Sequence, residues 1–381
     1  MNQSQHYRGI DVLRGLAASL VLAYHVVELG AWKTFPIDNP LALLVRTGWI
    51  GVDLFLVISG FVIGRAAIVA AQAPQQLGWR RTFMERRLRR IVPLYLLTCA
   101  VCLFTINQAV FQHGWRVAVI NITTHLGFVH NLNPHTMSSI NGPNWSVALE
   151  MQFYVLLVLV APWLGTKRAW PLLVAFLGTG LLWRWLGTEL HTPGTANPYF
   201  QFHFNSQLPG TLDQFACGIA AAKLATSPRF RPGWLACATA SGCALLLLTV
   251  AWTLYWRNAT YWDSLPMIVF WRTLVSSGFA AVLLALVLCP KPMPTPLRPA
   301  SYLGDISYGI YLWHLVVLSL LIRHTQVREW GLLVATFAIT IVLAALSWHW
   351  LEKPIIHATK PSWWARNPTQ MPFLGRLRSW Q

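Results

Sequence analysis

An all-α, polytopic membrane protein follows from three observations on this 381-residue chain. Only 11% of the residues are charged and 55% are hydrophobic, whereas a soluble domain carries about 25% charged residues. Apolar runs long enough to cross a bilayer follow one another along the whole length. The few titratable groups inside those runs recur at matching depths, which points to an interior polar cavity.

Ten transmembrane helices around that cavity are expected, at 11–31, 47–70, 90–111, 147–165, 169–187, 211–226, 233–254, 267–289, 303–323 and 330–351. The first carries Arg14 and lacks a small-residue cleavage pattern, so it reads as a retained span and not a cleavable signal. The second is GWIGVDLFLVISGF with Asp53 near its start. The third opens on the arginine run MERRLRRIVP, and the fourth on NWSVALEMQFY. Lys167 and Arg168 separate the fourth from the fifth. The sixth is short and carries Asp213. The Pro-rich linker KPMPTPLRP precedes the ninth. Residues 1–352 thus form one transmembrane domain, and 353–381 a basic cytoplasmic tail. Tryptophans such as Trp32, Trp49, Trp163, Trp183 and Trp185 fall near span ends, as in an interfacial belt.

Charge sets the expected orientation. With the N-terminus inside, 21 of the 29 Lys and Arg residues fall in inside segments, which the positive-inside rule favours and which puts both termini in the cytoplasm. The same sorting accounts for the net charge of +17: the excess faces anionic lipid head groups. There is no basic domain interleaved with aromatics, so nucleic acid is not an expected partner. The segments 112–146 and 188–210 then lie outside, and could cover the cavity. The histidines of the first, His113, His125, His130 and His135, read either as loop residues or as acceptor contacts. Cys99 and Cys102 have a C-x-x-C spacing on an apolar helix without His or acidic neighbours, so they read as packing residues, and no metal site is expected.

Three constellations carry chemistry. Arg14 and His25 are eleven residues apart, which brings them to one helix face within roughly 20° and about 16 Å along the axis. A charge and a proton-transfer group on one stripe of a membrane helix line a polar path, or else snorkel and pack; Asp11 extends the stripe by one turn. In the second, Arg87 and Arg90 are neighbours on the surface of the third span, and guanidinium forks suit phosphates. Placed at the start of that helix, they would oppose its dipole and favour an anion partner; as topology signals they would merely hold the loop inside. In the third, Glu150 lies about two turns into the fourth span, at a depth similar to His25 and Asp53, so the three are expected to converge, with the acid orienting a His base. The alternative for Asp53 is structural pairing with Arg46 or backbone groups.

These residues resemble those of the membrane-bound acyltransferase-3 superfamily, of the polysaccharide O-acetyltransferase type. The resemblance rests on YRGIDVLRGLAASLVLAYH, GVDLFLVISGFVI, RRLRRIVPLY, NWSVALEMQFYVL and SYGIYLWH in that order, and covers nearly all the spans. The family's Arg-x10-His motif falls on Arg14 and His25, its paired arginines on Arg87 and Arg90, and its acidic position on Glu150. Asn144, Ser146, Tyr311 and His314 lie within the matched stretches. Where many members carry a further acid before the aromatic, this chain reads LEMQFY, leaving Glu150 alone.

The resemblance implies an enzyme of the bacterial inner membrane that moves an acetyl group from cytoplasmic acetyl-CoA, its co-substrate, to a hydroxyl of a cell-surface or secreted polysaccharide or its lipid-linked precursor. Arg14, Arg87 and Arg90 would hold the phosphates; His25 would act as base or accept the acetyl group, with Glu150 supporting it. Asp11, Asp53, Asn144, Ser146, Tyr311 and His314 would support the site. Membrane lipids are expected partners, with polysaccharide-assembly machinery as a further candidate. No fused hydrolase-like domain is expected, so the acetyl group would pass directly to the acceptor or to an unlinked partner. The competing reading is a transporter or flippase for a lipid-linked sugar, with no covalent step; dependence on acetyl-CoA separates the two.

Overall fold

A computed structural model describes residues 7–36, 39–71, 78–190, 198–228, 230–258, 261–290 and 298–358. Among these, all regular structure is helical. The chain runs through α1 (Arg8–Leu29), α2 (Pro40–Arg46), α3 (Ile50–Ala71), α4 (Trp79–Thr105), α5 (Ala109–Gln112), α6 (Trp115–Leu126), α7 (Asn144–Leu164) and α8 (Ala169–Glu189). It continues through α9 (Pro198–Asn205), α10 (Leu208–Ala225), α11 (Trp234–Arg257), α12 (Arg272–Leu288), α13 (Arg298–Asp305), α14 (Ser307–His324), α15 (Glu329–Ser347) and α16 (Lys353–His357). A π-helical turn, Met267–Trp271, leads into α12, and a second, Trp348–Glu352, follows α15.

Eight of these helices are long and apolar enough to cross a membrane, or nine if α13 and α14, bent by 72° at Ile306, make one span. The protein is therefore a multi-pass, all-α membrane protein, but ten spans are not established. The tenth candidate, α10, has only 18 residues and carries Asp213 and Lys223. It does not need a lipid-compatible surface, because Thr211, Asp213, Gln214, Phe215 and Ile219 are wholly buried inside the bundle. By contrast, α11 and α15 turn Leu235, Leu245, Val334 and Val342 outward, the apolar face a span presents to lipid.

Small residues let α3 and α10 cross at backbone contact. A methyl group on Gly218 would lie 2.1 Å from Val57 O, and one on Gly60 would lie 2.4 Å from Phe215 O, the close approach that replaces hydrophobic drive between membrane helices. Around this crossing the core is apolar: Val57, Phe61, Phe153, Leu157, Phe215 and Ile219 are buried, and the rings of Phe153 and Phe215 stack at 3.6 Å. At the N-terminal end of α1, Gly304 packs against Asp11 O, where a methyl would come to 2.1 Å. That contact seats the bend between α13 and α14 beside Arg14.

Two buried ion pairs tie the bundle together. Asp53 of α3 accepts from Arg272 of α12, and Arg184 of α8 binds both oxygens of Asp213 at 3.0 and 2.9 Å. Arg184 also donates to Gly210 O, Val269 O and Thr273 Oγ1, at 2.6, 2.9 and 2.7 Å. Its guanidinium is fully satisfied, which is the condition under which a charge can stay in a low-dielectric interior. Of the tail expected at 353–381, residues 359–381 lie outside the described residues, as do residues 291–297 of the Pro-rich linker.

Candidate active site

The arginine run does not begin its helix. α4 starts at Trp79, so Arg87 and Arg90 sit eight and eleven residues in, beyond the first turn to which the dipole effect is confined. The expected opposition to the dipole is absent for this reason. What the longer helix does instead is carry both guanidiniums into the bundle, onto the wall of a cavity.

That cavity is lined by Arg14 of α1, Phe55 and Ser59 of α3, Arg87 and Arg90 of α4, Ser146, Glu150 and Tyr154 of α7, and Ser307, Tyr308 and Tyr311 of α14, among others. The cavity has a volume of about 70 Å³, room for a handful of water molecules. Three guanidiniums face one lining carboxylate, and no ion pair within 4 Å joins them among the described residues. Asp11 and Glu352 act on Arg14 and Arg90 at longer range. Arg87 lies over the rings of Phe83 and Tyr154, at 5.6 and 5.8 Å, and its buried Nε has no partner. Arg90 lies over Trp348 at 5.7 Å. Aromatic faces hold these cations in place without using up their N–H donors. The first residues of α14 complete the wall, and a helix N-terminus favours an anion. The lining thus carries three guanidiniums against one carboxylate group.

His25 lies elsewhere. Its Nδ1 is 2.9 Å from Val21 O and 3.3 Å from Nε2 of His314, and the two rings are 5.0 Å apart at 46°. His314 Nδ1 is 2.6 Å from Tyr311 O. Between this pair and the cavity stand Tyr311 and Ser146, whose hydroxyls share a hydrogen bond of 2.6 Å and both reach Pro143 O at 3.1 Å.

The expected meeting of His25, Asp53 and Glu150 does not occur. Glu150 accepts from Ser59 at 2.7 Å and from Tyr154, with neither histidine among its partners. The cause is axial. Ser146 is level with Tyr311, Glu150 is one turn below Ser146, and His314 is nearly one turn above Tyr311, so Glu150 lies about 10 Å from the His25 level along the helices. Asp53 is taken by Arg272, and not by Arg46, in a pair outside the cavity. Asp11 is buried one turn before Arg14, and Asn144 is buried with its Nδ2 donating to Cys99 Sγ at 3.1 Å. Ser59, Tyr154 and Tyr308 were not singled out in the sequence; Tyr154 alone had a signal, one helical turn after Glu150.

Outside the spanning helices, the segment before α7 folds a second polar cluster. The rings of His125 and His130 stack at 3.8 Å and 8°. Burial pushes the His125 imidazolium down to about 4. Burial, and then the neighbouring His125, push His130 down to about 3.

A family model for an acyltransferase domain matches residues 7–349. The chain belongs to the membrane-bound acyltransferase-3 family. Among its relatives, the peptidoglycan O-acetyltransferase OatA of Listeria monocytogenes is 25% identical over 91% of this chain and 55% of its own length. The putative peptidoglycan O-acetyltransferase YrhL of Bacillus subtilis is 27% identical over 100% of this chain and 59% of its own. The putative membrane-bound transacylase BcsY of Komagataeibacter xylinus is 28% identical, over 91% of this chain and 82% of its own. The chain thus spans little more than half the length of the first two. No solved structure matches the chain. Within the family's matched region lie every cavity-lining residue and both histidines of the pair.

Proposed function

We propose that this protein is an O-acetyltransferase that moves an acetyl group from acetyl-CoA to a hydroxyl of a cell-surface polysaccharide or its lipid-linked precursor. The observation that carries the reading is the cavity in which Arg14, Arg87 and Arg90 face a single carboxylate, one hydroxyl-lined step from His25. A polyphosphate with a long flexible arm suits that layout. Its phosphates would meet the guanidiniums, whose forks bind phosphate oxygens bidentately, and its thioester would pass Tyr311 to the His25 level.

At that level the acceptor hydroxyl gives its proton to His25 as its oxygen attacks the thioester carbonyl. The C–O bond forms, the C–S bond breaks, and the thiolate leaves and is protonated. Glu150, held by Ser59 and Tyr154, belongs in this reading to the donor end: it balances part of the arginine charge while the cavity is empty. With the arginine-rich ends of α1 and α4 inside, the donor is loaded from the cytoplasm and the acceptor is met in the outer half of a bacterial inner membrane. The relatives named as peptidoglycan O-acetyltransferases support an acylated glycan as product, and the transacylase of K. xylinus supports acyl transfer.

The test is transfer by purified protein in lipid nanodiscs, with acetyl-labelled CoA and isolated glycan precursors. An alkali-labile acetyl ester should form with wild-type protein, and none with a well-inserted His25→Ala. Sugar movement across the bilayer without any ester would overturn the reading in favour of a transporter.

A further inference from the structure

The His25–His314 contact fixes where the protons are. His314 Nδ1 lies 2.6 Å from Tyr311 O, and a carbonyl only accepts, so Nδ1 carries the hydrogen. In the neutral ring His314 Nε2 is then a lone pair. His25 Nδ1 faces that lone pair at 3.3 Å and Val21 O at 2.9 Å. Two acceptors against one nitrogen require an N–H there, shared between them in a bifurcated bond. The opposite assignment would set lone pair against carbonyl at both rings. The basic nitrogen of His25 is therefore Nε2, for which there is no hydrogen-bond partner among the described residues.

We propose that His314 is the positioning residue of His25: its Nε2 holds the Nδ1–H tautomer, aims Nε2 of His25 at the acceptor hydroxyl, and shares the charge when that nitrogen takes the proton. This rests on the acyltransferase reading and deepens it. The role is the one a carboxylate fills beside many histidine bases, where the partner sets the tautomer and steadies the imidazolium. A neutral imidazole fills it here because Glu150 is held at the other end of the cavity. His314 is 1% exposed and does not line the cavity, so it acts through His25; during transfer a proton moves from the acceptor O–H to His25 Nε2, then to the departing thiolate, while His25 Nδ1–H stays in place.

Three variants separate an acceptor role from packing. His314→Gln can set an amide oxygen near the position of the missing Nε2. His314→Asn keeps a donor for Tyr311 O but cannot reach His25. His314→Leu fills space alone. Turnover should stay within about tenfold of wild type for Gln and fall about 100-fold or more for Asn and Leu, with KM for both substrates nearly unchanged. On the resting protein, nitrogen-15 NMR of labelled histidine should show His25 protonated at Nδ1, and should lose that signature in His314→Leu. Equal turnover in Gln and Leu, or an Nε2–H tautomer of His25 in wild type, would overturn the proposal. The spectrum needs no turnover, so it decides the contact even where no ester forms, the outcome that defeats the acyltransferase reading itself.

Discussion

Ser146 of α7 and Tyr311 of α14 are joined hydroxyl to hydroxyl at 2.6 Å, at the level where the arginine cavity ends and the histidine pair begins. Tyr311→Phe keeps the ring against Phe55 and His314 and removes the tie. A net loss of about 1 kcal/mol is expected, read as a small fall in Tm. With the boundary loosened, water should reach the thioester, so hydrolysis of acetyl-CoA without acceptor should rise several-fold at unchanged donor affinity. Unaltered hydrolysis would show that this tie does not divide the site.

Arg87 and Arg90 are expected to bind the donor. Each Ala variant should weaken CoA binding roughly tenfold or more, since a lost charge-assisted contact costs about 1.5–3 kcal/mol and about 1.4 kcal/mol is already tenfold, and Lys should rescue only part, lacking the fork. Because Arg87 Nε is buried without a partner, Arg87→Ala should leave the Tm of the empty protein unchanged or higher. Calorimetry on purified protein measures both. A lowered Tm with intact CoA affinity would make Arg87 a scaffold residue.

Glu150→Gln conserves an oxygen that can accept from Ser59 and Tyr154, yet deletes the one lining negative charge. The consequence should be tighter binding of anionic donor, by a few-fold and most at low salt, where charge effects are least screened. A pure loss of turnover at constant donor affinity would instead return Glu150 to the side of His25.

The Arg184–Asp213 pair is buried on both sides. Asp213→Asn should cost on the order of 3–5 kcal/mol by leaving the guanidinium uncompensated, while an apolar replacement of both partners should recover most of it. Thermal unfolding in detergent checks the order: the single variant well below wild type, and the double variant between them. A single variant as stable as wild type would contradict the structural role.

His125 and His130 should make the protein acid-sensitive. Both are held neutral when folded, down to about 4 and about 3, below the ordinary value near 6.5. From about pH 6.5 downward the unfolded chain binds protons that the folded one refuses, so stability is full above that pH and declines as pH falls toward 4. The slope approaches about 1.4 kcal/mol per pH unit for each histidine. Tm followed from pH 7.5 to 5 should decline, and a His125→Gln/His130→Gln pair should flatten that decline. An equally steep decline in the pair would place the sensitivity elsewhere.

What the sequence made legible followed from single-helix periodicity. The Arg14–His25 stripe, the neighbouring Arg87 and Arg90, and the order of the apolar runs all depend only on rise and turn within one helix, and they are found in the folded chain. Relationships between helices were not legible. Whether Glu150 meets His25 depends on how far α7 is pushed along its axis relative to α14, and only the Ser146–Tyr311 contact reveals that. The buried partners of Arg184 and Arg272, Asp213 and Asp53, lie on other helices at separations of 29 and 219 residues. The start of α4 was misplaced because its first turns are too polar for a hydropathy reading yet helical nonetheless, so the membrane-facing part of the helix was mistaken for the whole.

That separation of 219 residues also imposes an order of manufacture. Asp53 leaves the ribosome long before Arg272 exists, and an unaccompanied charge is costly within a bilayer. Through the synthesis of the helices in between, α3 carries that carboxylate without the guanidinium that pairs with it in the finished bundle. The Asp53–Arg272 bond closes only when α12 arrives, so it acts as a latch made near the end of assembly, and a chain that stops short of α12 has no means of fastening it.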